Sequence, residues 1–298
     1  MTSVLSALNK ALGDIMAGDP TVFLLGEDIL DPYGGAFKVT RGLSAKYPSR
    51  VLTTPISEAG ITGIAIGMSL RGLRPVVEIM FGDFLTLAAD QLINHAAKFK
   101  WMYNEKVNVP LVIRTPMGGR RGYGPTHSQS LEKIFLGIPG LTVVSPSFIG
   151  NPGDLLATAI ADENPVVFIE HKLLYPLQII DAAQGDISEY HLQESAGKYP
   201  TSIINPVYPA TITIASYGYN LHLILAAVNE LMMEHEIFCD LVIFSQLSPF
   251  NISPLLDSLK QTKKLVTVEE DTLNTGWGAE IVARASEKIN LKAIKRVA

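Results

Sequence analysis

Apolar residues alternate between helical spacing and short continuous runs along the first half of the chain. Val4, Leu8 and Leu12 recur at helical spacing, and Gly18-Asp19-Pro20 then stops this helix before the apolar run at 22–25. The same alternation predicts five further strands and three further helices. The predicted strands lie near 50–53, 75–79, 109–113, 141–144 and 166–169, and the predicted helices lie over 57–70, 84–100 and 152–161. Apolar strands separated by helices are typical of a parallel sheet covered on both faces, so the pattern predicts a doubly wound α/β fold.

A second unit of the same kind follows a stretch without periodicity. Residues 176–209 are polar and contain Pro and Gly, which is typical of an interdomain linker. After this stretch, apolar runs alternate again with helical patterns. The runs lie near 211–215, 238–244 and 265–269, and the helical patterns lie over 220–234, 254–260 and 278–288. We therefore predict two doubly wound domains, 1–175 and 210–298, and we expect the second to be shortened at its end because a final strand has just begun there.

Net charge, hydropathy and cysteine content limit the kinds of molecule with which the chain is expected to interact. The net charge of −5 offers no basic field for nucleic acid, and the apolar stretches fall short of the ~20 residues that span a bilayer. The amino terminus lacks the layout of a secretory signal. The single cysteine, Cys239, excludes an internal disulfide framework and fits a reducing compartment. We expect a cytoplasmic protein without a nucleic-acid or membrane partner, and its 47% hydrophobic residues indicate a subunit interface.

Three residues follow predicted strands at the positions where ligands bind in parallel sheets. Glu58 follows the strand near 50–53, Phe84 follows the strand at 75–79, and His127 ends the loop after the strand at 109–113. Each also has an ordinary interpretation. An acid in the first turn of a helix behind Ser57 often only stabilises the helix dipole, and an aromatic residue that opens a helix is more often core. The loop before His127 carries four glycines and two arginines, which indicates a functional loop or a mobile one.

The sequence lacks the motifs that are typical of several classes of enzyme. It contains no GxxxxGK[ST] phosphate loop, no GxGxxG after a strand, no HExxH and no GxSxG. Nucleotide hydrolysis, hydride transfer, zinc hydrolysis and serine-esterase chemistry are therefore not predicted.

Ordered sequence motifs identify the chain as similar to a known family. They include Thr54-Pro55-Ile56-Ser57-Glu58, the segments 72–78 and 90–94, His127-Ser128-Gln129-Ser130, the segments 139–146 and 164–175, and 276–281. Together they resemble the beta subunit of thiamine-diphosphate-dependent 2-oxoacid dehydrogenases of the pyruvate, branched-chain and acetoin type. The resemblance extends from near the start to about residue 282 and implies a transketolase-type pyrimidine-binding domain followed by a transketolase C-terminal domain.

The resemblance also implies partners. Beta subunits of this family assemble with alpha subunits as α2β2 heterotetramers, act on a 2-oxoacid, and pass the acyl group to lipoyl-lysine of an acyltransferase core. The alpha chain holds Mg²⁺ and the cofactor diphosphate through a GDG…N motif, and no GDG occurs in this sequence. Without that motif the chain has no visible means to hold thiamine diphosphate by its charged end, so a partner must supply it.

Roles for individual residues follow from the same resemblance. Glu58 is expected to hydrogen-bond the N1′ atom of the cofactor pyrimidine, Phe84 to stack on the pyrimidine, and Ile56 to contact the cofactor. His127 is expected near the reacting centre, in substrate positioning or acyl transfer. The family also binds K⁺ largely through backbone carbonyls, and the matching residues here are Leu111, Ala159, Ile160, Asp162 and Asn164.

Two alternatives remain open from the sequence. One is half of a split transketolase-like or deoxyxylulose-phosphate-synthase-like enzyme acting on sugar phosphates, for which Arg120 and Arg121 could serve. The other is a non-catalytic assembly subunit, favoured by the expected short tail and opposed by the presence of Glu58, Phe84 and His127.

Overall fold

The computed structural model describes residues 2–180, 186–187 and 190–298. Eight α-helices lie within them: α1 Val4–Gly18, α2 Leu43–Lys46, α3 Glu58–Ser69, α4 Ala97–Met102, α5 Pro152–Ile160, α6 Asn220–His235, α7 Ser253–Thr262 and α8 Trp277–Ser286. The strands are β1 Val22–Gly26, β2 Val51–Thr53, β3 Arg74–Glu78, β4 Val112–Met117, β5 Thr142–Val144, β6 Val166–His171, β7 Asp186–Ile187, β8 Tyr190–Glu194, β9 Ser202–Pro206, β10 Ile212–Tyr217, β11 Cys239–Phe244, β12 Gln246–Ser248, β13 Lys264–Val268 and β14 Ala293–Val297. None of the helices in the described ranges is both long and apolar enough to cross a membrane.

The first sheet has the strand order β12-β5-β6-β4-β3-β1-β2. All of its pairs are parallel except the pair of β12 with β5. Every residue of β4 is buried, because helices cover both faces of the sheet centre. The predicted doubly wound fold is confirmed for this half of the chain.

The second sheet has the order β14-β13-β10-β11-β9-β8-β7. The strands β14, β13, β10 and β11 are parallel, as the alternation of runs and helices predicts, and β9, β8 and β7 extend the sheet in antiparallel fashion. β12 comes from this half of the chain but pairs with β5 of the first sheet. The two halves are thus joined by shared strand pairing as well as by packing.

The segment assigned to a linker, 176–209, contains part of the second sheet. Its residues 181–185, 188 and 189 lie outside the described residues. Further along, buried residues in β8 and β9 alternate with exposed or half-buried ones, and Tyr190, Leu192 and Ile204 are buried. Such alternation is typical of an antiparallel strand with one face on the core, and over so few residues it is hard to recognise in sequence.

The single helix predicted over 84–100 is instead three helical segments of different pitch. A 3₁₀ helix covers Gly82–Ala88, a π-helix covers Gln91–Ala96, and α4 follows. The buried residues Leu85, Ala88, Leu92 and Ala96 are spaced by three, then four, then four positions. A 3₁₀ turn holds about three residues, so Leu85 and Ala88 lie on one face of the first segment.

The strand predicted at 109–113 begins later than expected, at Val112. Pro110 has no amide hydrogen to donate to a neighbouring strand, and the Leu111 amide donates to Val109 O at 2.8 Å. This tight turn postpones regular pairing until the chain has passed Leu111.

A buried ion cluster joins the three central strands of the first sheet. Arg114 donates through Nε and Nη2 to the two carboxylate oxygens of Glu170, at 2.7 and 2.8 Å, and through Nη1 to Glu78 Oε2 at 2.9 Å. The Tyr175 hydroxyl donates to Glu170 Oε2 at 2.6 Å. Burial acts to lower the pKa of Arg114, but the charges of Glu170 and Glu78 outweigh it and raise that pKa. The cluster fixes the carboxyl ends of β3, β4 and β6 relative to one another.

Candidate active site

The carboxyl ends of the parallel strands collect the candidate residues on one edge of the first sheet. Because β2, β1, β3 and β4 are consecutive neighbours, the connections that follow them emerge side by side. Glu58 begins the helix after β2, Phe84 follows β3, and His127 ends the loop after β4. Strand β1 lies between β2 and β3 in the sheet, and Glu27, directly after its carboxyl end, joins these candidate residues.

Glu58 is buried in the first turn of α3, with 6% of its surface exposed. The Ser57 side chain makes no capping hydrogen bond, so capping by Ser57 does not account for this helix start. Glu27 is also 6% exposed and lies close enough for the two carboxylates to interact. Burial raises the pKa of Glu27, and the charge of Glu58 raises it further. The site therefore contains a pair of buried acids rather than a single one.

Sequence reasoning missed Glu27. The available signal was its position directly after the apolar run 22–25 and Gly26, at the carboxyl end of a buried strand. Glu27 Oε1 and the Thr54 hydroxyl are buried without a hydrogen-bond partner within the described residues. Buried polar atoms are usually paired, so this edge of the sheet has unused capacity to hydrogen-bond a polar ligand.

His127 lies in an aromatic cluster with Phe81 and Phe84. The His127 ring lies 5.1 Å from the Phe84 ring and 4.8 Å from the Phe81 ring, edge to face in both pairs. Tyr123 packs on Phe81 at 5.7 Å. His127 Nδ1 lies 3.1 Å from the Thr126 hydroxyl. The Gly-rich loop thus folds back over the residues that follow β3 and places an imidazole against an aromatic surface.

Lys172, immediately after β6, supports this cluster and was also missed by sequence reasoning. It is 1% exposed, and Nζ donates to Gly118 O at 2.8 Å while lying 5.4 Å from the centre of the Phe81 ring. Burial lowers the pKa of Lys172 to about 8, although the charges of Asp83 and Glu270 act to raise it. Its position at the carboxyl end of a strand is the signal that could have identified it.

Ile56 lies on the connection between β2 and α3 and is 83% exposed. A single exposed apolar side chain is common on a protein surface and does not by itself indicate a ligand. The Ile56 side chain is accessible to a ligand, and its contact with the cofactor stays a prediction.

The residues assigned to potassium lie on the connections before β4 and β6 and at the end of α5. They are Leu111, Ala159, Ile160, Asp162 and Asn164. Arg74 already donates through Nη1 to Ile160 O at 3.0 Å and to Asp162 O at 3.2 Å, and the Val166 amide donates to Leu111 O at 2.8 Å. These three carbonyl oxygens therefore each accept a hydrogen bond while keeping a second lone pair, and the potassium site stays a prediction.

The geometry fits one end of thiamine diphosphate. Buried acids and an aromatic ring suit a flat heterocycle with ring nitrogens, which is the pyrimidine end of the cofactor. The charged end needs a metal and a phosphate cradle. Across the described part of the chain, no group of three or more His, Cys, Asp or Glu side chains could hold a metal ion. The described residues thus fit the pyrimidine end.

Two family descriptions match most of the chain. "Transketolase, pyrimidine binding domain" matches residues 1–178, and "Transketolase, C-terminal domain" matches residues 209–298. They correspond to the halves built on the first and second sheets. Strands β8 and β9, which extend the second sheet, lie between the two matched ranges.

Several named proteins are similar in sequence to this chain over nearly its whole length. The pyruvate dehydrogenase E1 component subunit beta of Gracilaria tenuistipitata is 40% identical over 292 residues, which cover 96% of this chain and 86% of the relative. The acetoin:2,6-dichlorophenolindophenol oxidoreductase subunit beta of Cupriavidus necator is 37% identical over 296 residues, covering 96% and 84%. The mitochondrial pyruvate dehydrogenase subunit beta-2 of Oryza sativa is 37% identical over 287 residues, covering 96% and 74%.

The fold is also found in a solved structure. A split-gene transketolase, described as an inactive beta4 tetramer, superimposes with a TM-score of 0.72 and covers 99% of this chain and 88% of the other. The two are 19% identical in sequence, so the likeness shows the fold alone. Domain matches and named relatives together show that the chain belongs to the transketolase-like family of beta subunits of thiamine-diphosphate-dependent 2-oxoacid dehydrogenases.

Proposed function

We propose that this chain is the beta half of a 2-oxoacid dehydrogenase and decarboxylates its substrate at a site shared with an alpha chain. The observation that carries the proposal is the convergence of the buried Glu27 and Glu58 pair with the Phe84 and His127 rings on one sheet edge. This edge suits the pyrimidine end of the cofactor, and the sequence has no GDG motif for the other end.

Each residue has a defined task in the proposal. Glu58 exchanges a proton with the pyrimidine N1′ atom, in surroundings shielded from water. Glu27 adds a second acid beside it. Phe84 stacks on the pyrimidine, and Ile56 covers it from the connection before α3. When bound, thiamine diphosphate supplies the electron sink for decarboxylation.

His127 faces the substrate in this proposal. Its ring is held by Phe81 and Phe84, so the imidazole keeps one orientation while it positions the 2-oxoacid or assists acyl transfer to lipoyl-lysine. The loop that carries His127 is exposed at Arg121 and Tyr123, which leaves access for a lipoyl arm.

The partners belong to the same proposal. An alpha chain contributes Mg²⁺ and the diphosphate contacts in an α2β2 assembly, and a lipoyl acyltransferase core receives the acyl group. Support comes from the relatives, which are named as beta subunits, and from exposed apolar side chains such as Trp101 at 80% and Ile64 at 61%.

A cytoplasmic location and a structural K⁺ on the carbonyls near Asp162 complete the proposal. The free Cys239 is buried and its pKa is raised to about 11 by burial, which fits a reducing compartment.

Reconstitution tests the function. The purified chain, an alpha chain with a GDG…N motif, and the mixture are each supplied with thiamine diphosphate and Mg²⁺. Decarboxylation of pyruvate and branched 2-oxoacids is measured beside ketol transfer between sugar phosphates. We expect 2-oxoacid decarboxylation from the mixture and none from either chain alone. Activity of the beta chain as a homodimer would refute the shared site, and ketol transfer alone would establish the sugar-phosphate alternative.

A further inference from the structure

The loop that carries His127 is contacted at its start by the second domain. This His127 loop spans residues 118–128, between β4 and Gln129. The segment 269–271, directly after β13 of the second domain, lies against it. Glu270 accepts a hydrogen bond from the Gly119 amide, with 2.6 Å between Gly119 N and Glu270 Oε1. Gly119 and Glu270 are 151 positions apart in sequence.

The other oxygen of Glu270 is held by a histidine. Glu270 Oε2 lies 3.0 Å from His171 Nε2. His171 Nδ1 accepts a hydrogen bond from the Leu173 amide at 3.0 Å, so the Nε2 atom carries the proton and donates to Glu270. The His171 ring stacks on Tyr219 of the second domain, with 4.4 Å between ring centres and 8° between planes. Glu270 is thus oriented by the His171 side chain, and its other carboxylate oxygen accepts the hydrogen bond from the Gly119 amide.

The charge of Glu270 is favoured in this position. Burial acts to raise the pKa of Glu270, but the hydrogen bonds from His171 and the Gly119 amide and the nearby charge of Arg120 outweigh it, so the pKa lies below its usual value. A charged acceptor makes the stronger hydrogen bond to a backbone amide.

Other contacts hold the two ends of the loop to the first domain. Lys172 donates to Gly118 O at 2.8 Å, and Gln129 Nε2 donates to Asp83 Oδ1 at 2.8 Å. Beyond the loop, Lys133 forms an ion pair with Asp271 at 2.9 Å. Between these anchors, the Gly119 amide bonds to the second domain, and the glycines at 118, 119, 122 and 124 give the loop little intrinsic stiffness.

We propose that Glu270 is a positioning residue: through the Gly119 amide it fixes the start of the His127 loop, so that the second domain sets where the imidazole lies in the active site of the first. The role of His127 in the reaction rests on the proposed function. The restraint on the loop does not, because it is a property of this chain by itself.

Hydrogen exchange of the full chain tests the restraint. Glu270→Ala removes the acceptor, and Glu270→Asp keeps the charge but is one methylene too short to reach both Gly119 N and His171 Nε2. We expect both to raise the exchange rate of peptides covering 118–129 by about tenfold or more, since a hydrogen bond to a charged group restrains opening by that order. Glu270→Gln keeps an acceptor oxygen for the Gly119 amide but sets its NH2 group against the His171 Nε2 donor, so it should restore only part of the protection. The exposed Glu287 of the same domain supplies the control, Glu287→Ala.

The outcomes separate a local restraint from general stability. Faster exchange confined to 118–129, with unchanged rates in β1, supports the proposal. Unchanged exchange at 118–129 in Glu270→Asp overturns it, as does an increase spread equally over the second domain. If Glu270→Ala fails to fold, Glu270→Asp alone decides, because it retains the charge and nearly the volume of the native side chain.

Activity gives a second, separate result. In the complex with the alpha chain, Glu270→Asp should lower kcat by about tenfold or more with a smaller change in KM, because the imidazole is displaced while the cofactor contacts of Glu58 and Phe84 remain. If the wild-type complex shows no decarboxylation, the proposed function has failed, and the exchange result still decides the fate of the restraint.

Discussion

At the scale of the residue, Glu58 shows how an ordinary helix position becomes a candidate catalytic one. Acids are common in the first turn of a helix because they complement its dipole. Here the acid is 6% exposed and interacts with a second buried acid, Glu27. A surface capping residue would have neither property. The tertiary environment therefore favours the chemical interpretation of Glu58.

Glu58→Gln should lower the rate of 2-oxoacid decarboxylation by at least ~100-fold, because the amide keeps the shape of the side chain but cannot exchange a proton. The measurement is single-turnover decarboxylation in the complex with the alpha chain. Glu230→Gln changes an exposed acid on α6 and should leave the rate unaltered. Wild-type rates in Glu58→Gln would remove Glu58 from the mechanism.

At the scale of the element, two glycines on one connection differ in what surrounds them. Gly137 and Gly140 lie between the 3₁₀ helix Glu132–Phe135 and β5, with φ of +71° and +89°. A Cβ atom on Gly137 would meet nothing within 4 Å, whereas one on Gly140 would lie 2.2 Å from Ala97 O of α4. Both positions need left-handed backbone, and only Gly140 also needs the absence of a side chain.

Alanine at each position should separate these two requirements. Gly137→Ala should lower the free energy of unfolding by about 1–2 kcal/mol, the cost of the left-handed backbone. Gly140→Ala should lower it by about 2–5 kcal/mol, because overpacking against a backbone atom adds to that cost. Urea unfolding followed by circular dichroism measures both. Equal losses would show that α4 moves away from Gly140 without penalty.

At the scale of the whole molecule, the two domains meet through buried polar groups. The Tyr217 hydroxyl of β10 donates to Glu132 Oε1, and the Trp277 ring packs edge to face on Tyr217 at 5.1 Å. Glu132 Oε2 is buried without a hydrogen-bond partner within the described residues. Burial raises the pKa of Glu132 from 4.5 to about 7, although the hydrogen bond from Tyr217 acts to lower it. The interface therefore holds an acid that is more easily protonated when folded than when unfolded.

This shift predicts a dependence of stability on pH. Between about pH 4.5 and pH 7 the unfolded chain loses the Glu132 proton while the folded chain keeps it, so the unfolded state binds fewer protons and stability falls as pH rises. Glu132→Gln stays neutral and keeps an oxygen for Tyr217. Its free energy of unfolding should equal that of the wild type near pH 4.5 and exceed it by on the order of 3 kcal/mol at pH 8.

The measurement is urea unfolding of both proteins between pH 4.5 and pH 8, with Glu234→Gln on the exposed face of α6 as the control. Parallel pH profiles of the wild type and Glu132→Gln would show that Glu132 does not titrate with folding.

The local pattern of the chain predicts most of the regular elements, because helices and buried strands each bury a face with its own period. It places β1, α3, β3, α5, β6, β10 and α6 close to where they lie. It also predicts that Glu58, Phe84 and His127 follow strands, since a parallel sheet brings the ends of its strands to one edge. The pattern fails where pitch changes along one segment, as at 82–102, and where strands alternate buried with exposed or half-buried residues instead of forming continuous apolar runs, as in β8 and β9.

Sequence by itself therefore determined the fold class, the family and the edge of the sheet on which the candidate residues lie. Only the tertiary structure decided which residues meet there, such as Glu27 beside Glu58 and Lys172 beneath the His127 loop. It alone also decided that β12 pairs with the other domain's sheet. The physical reason is distance along the chain. Helical and strand periods arise from residues close together in sequence. The contact of Glu270 with Gly119 depends on how two complete domains pack, and the spacing of residues in the sequence does not predict it.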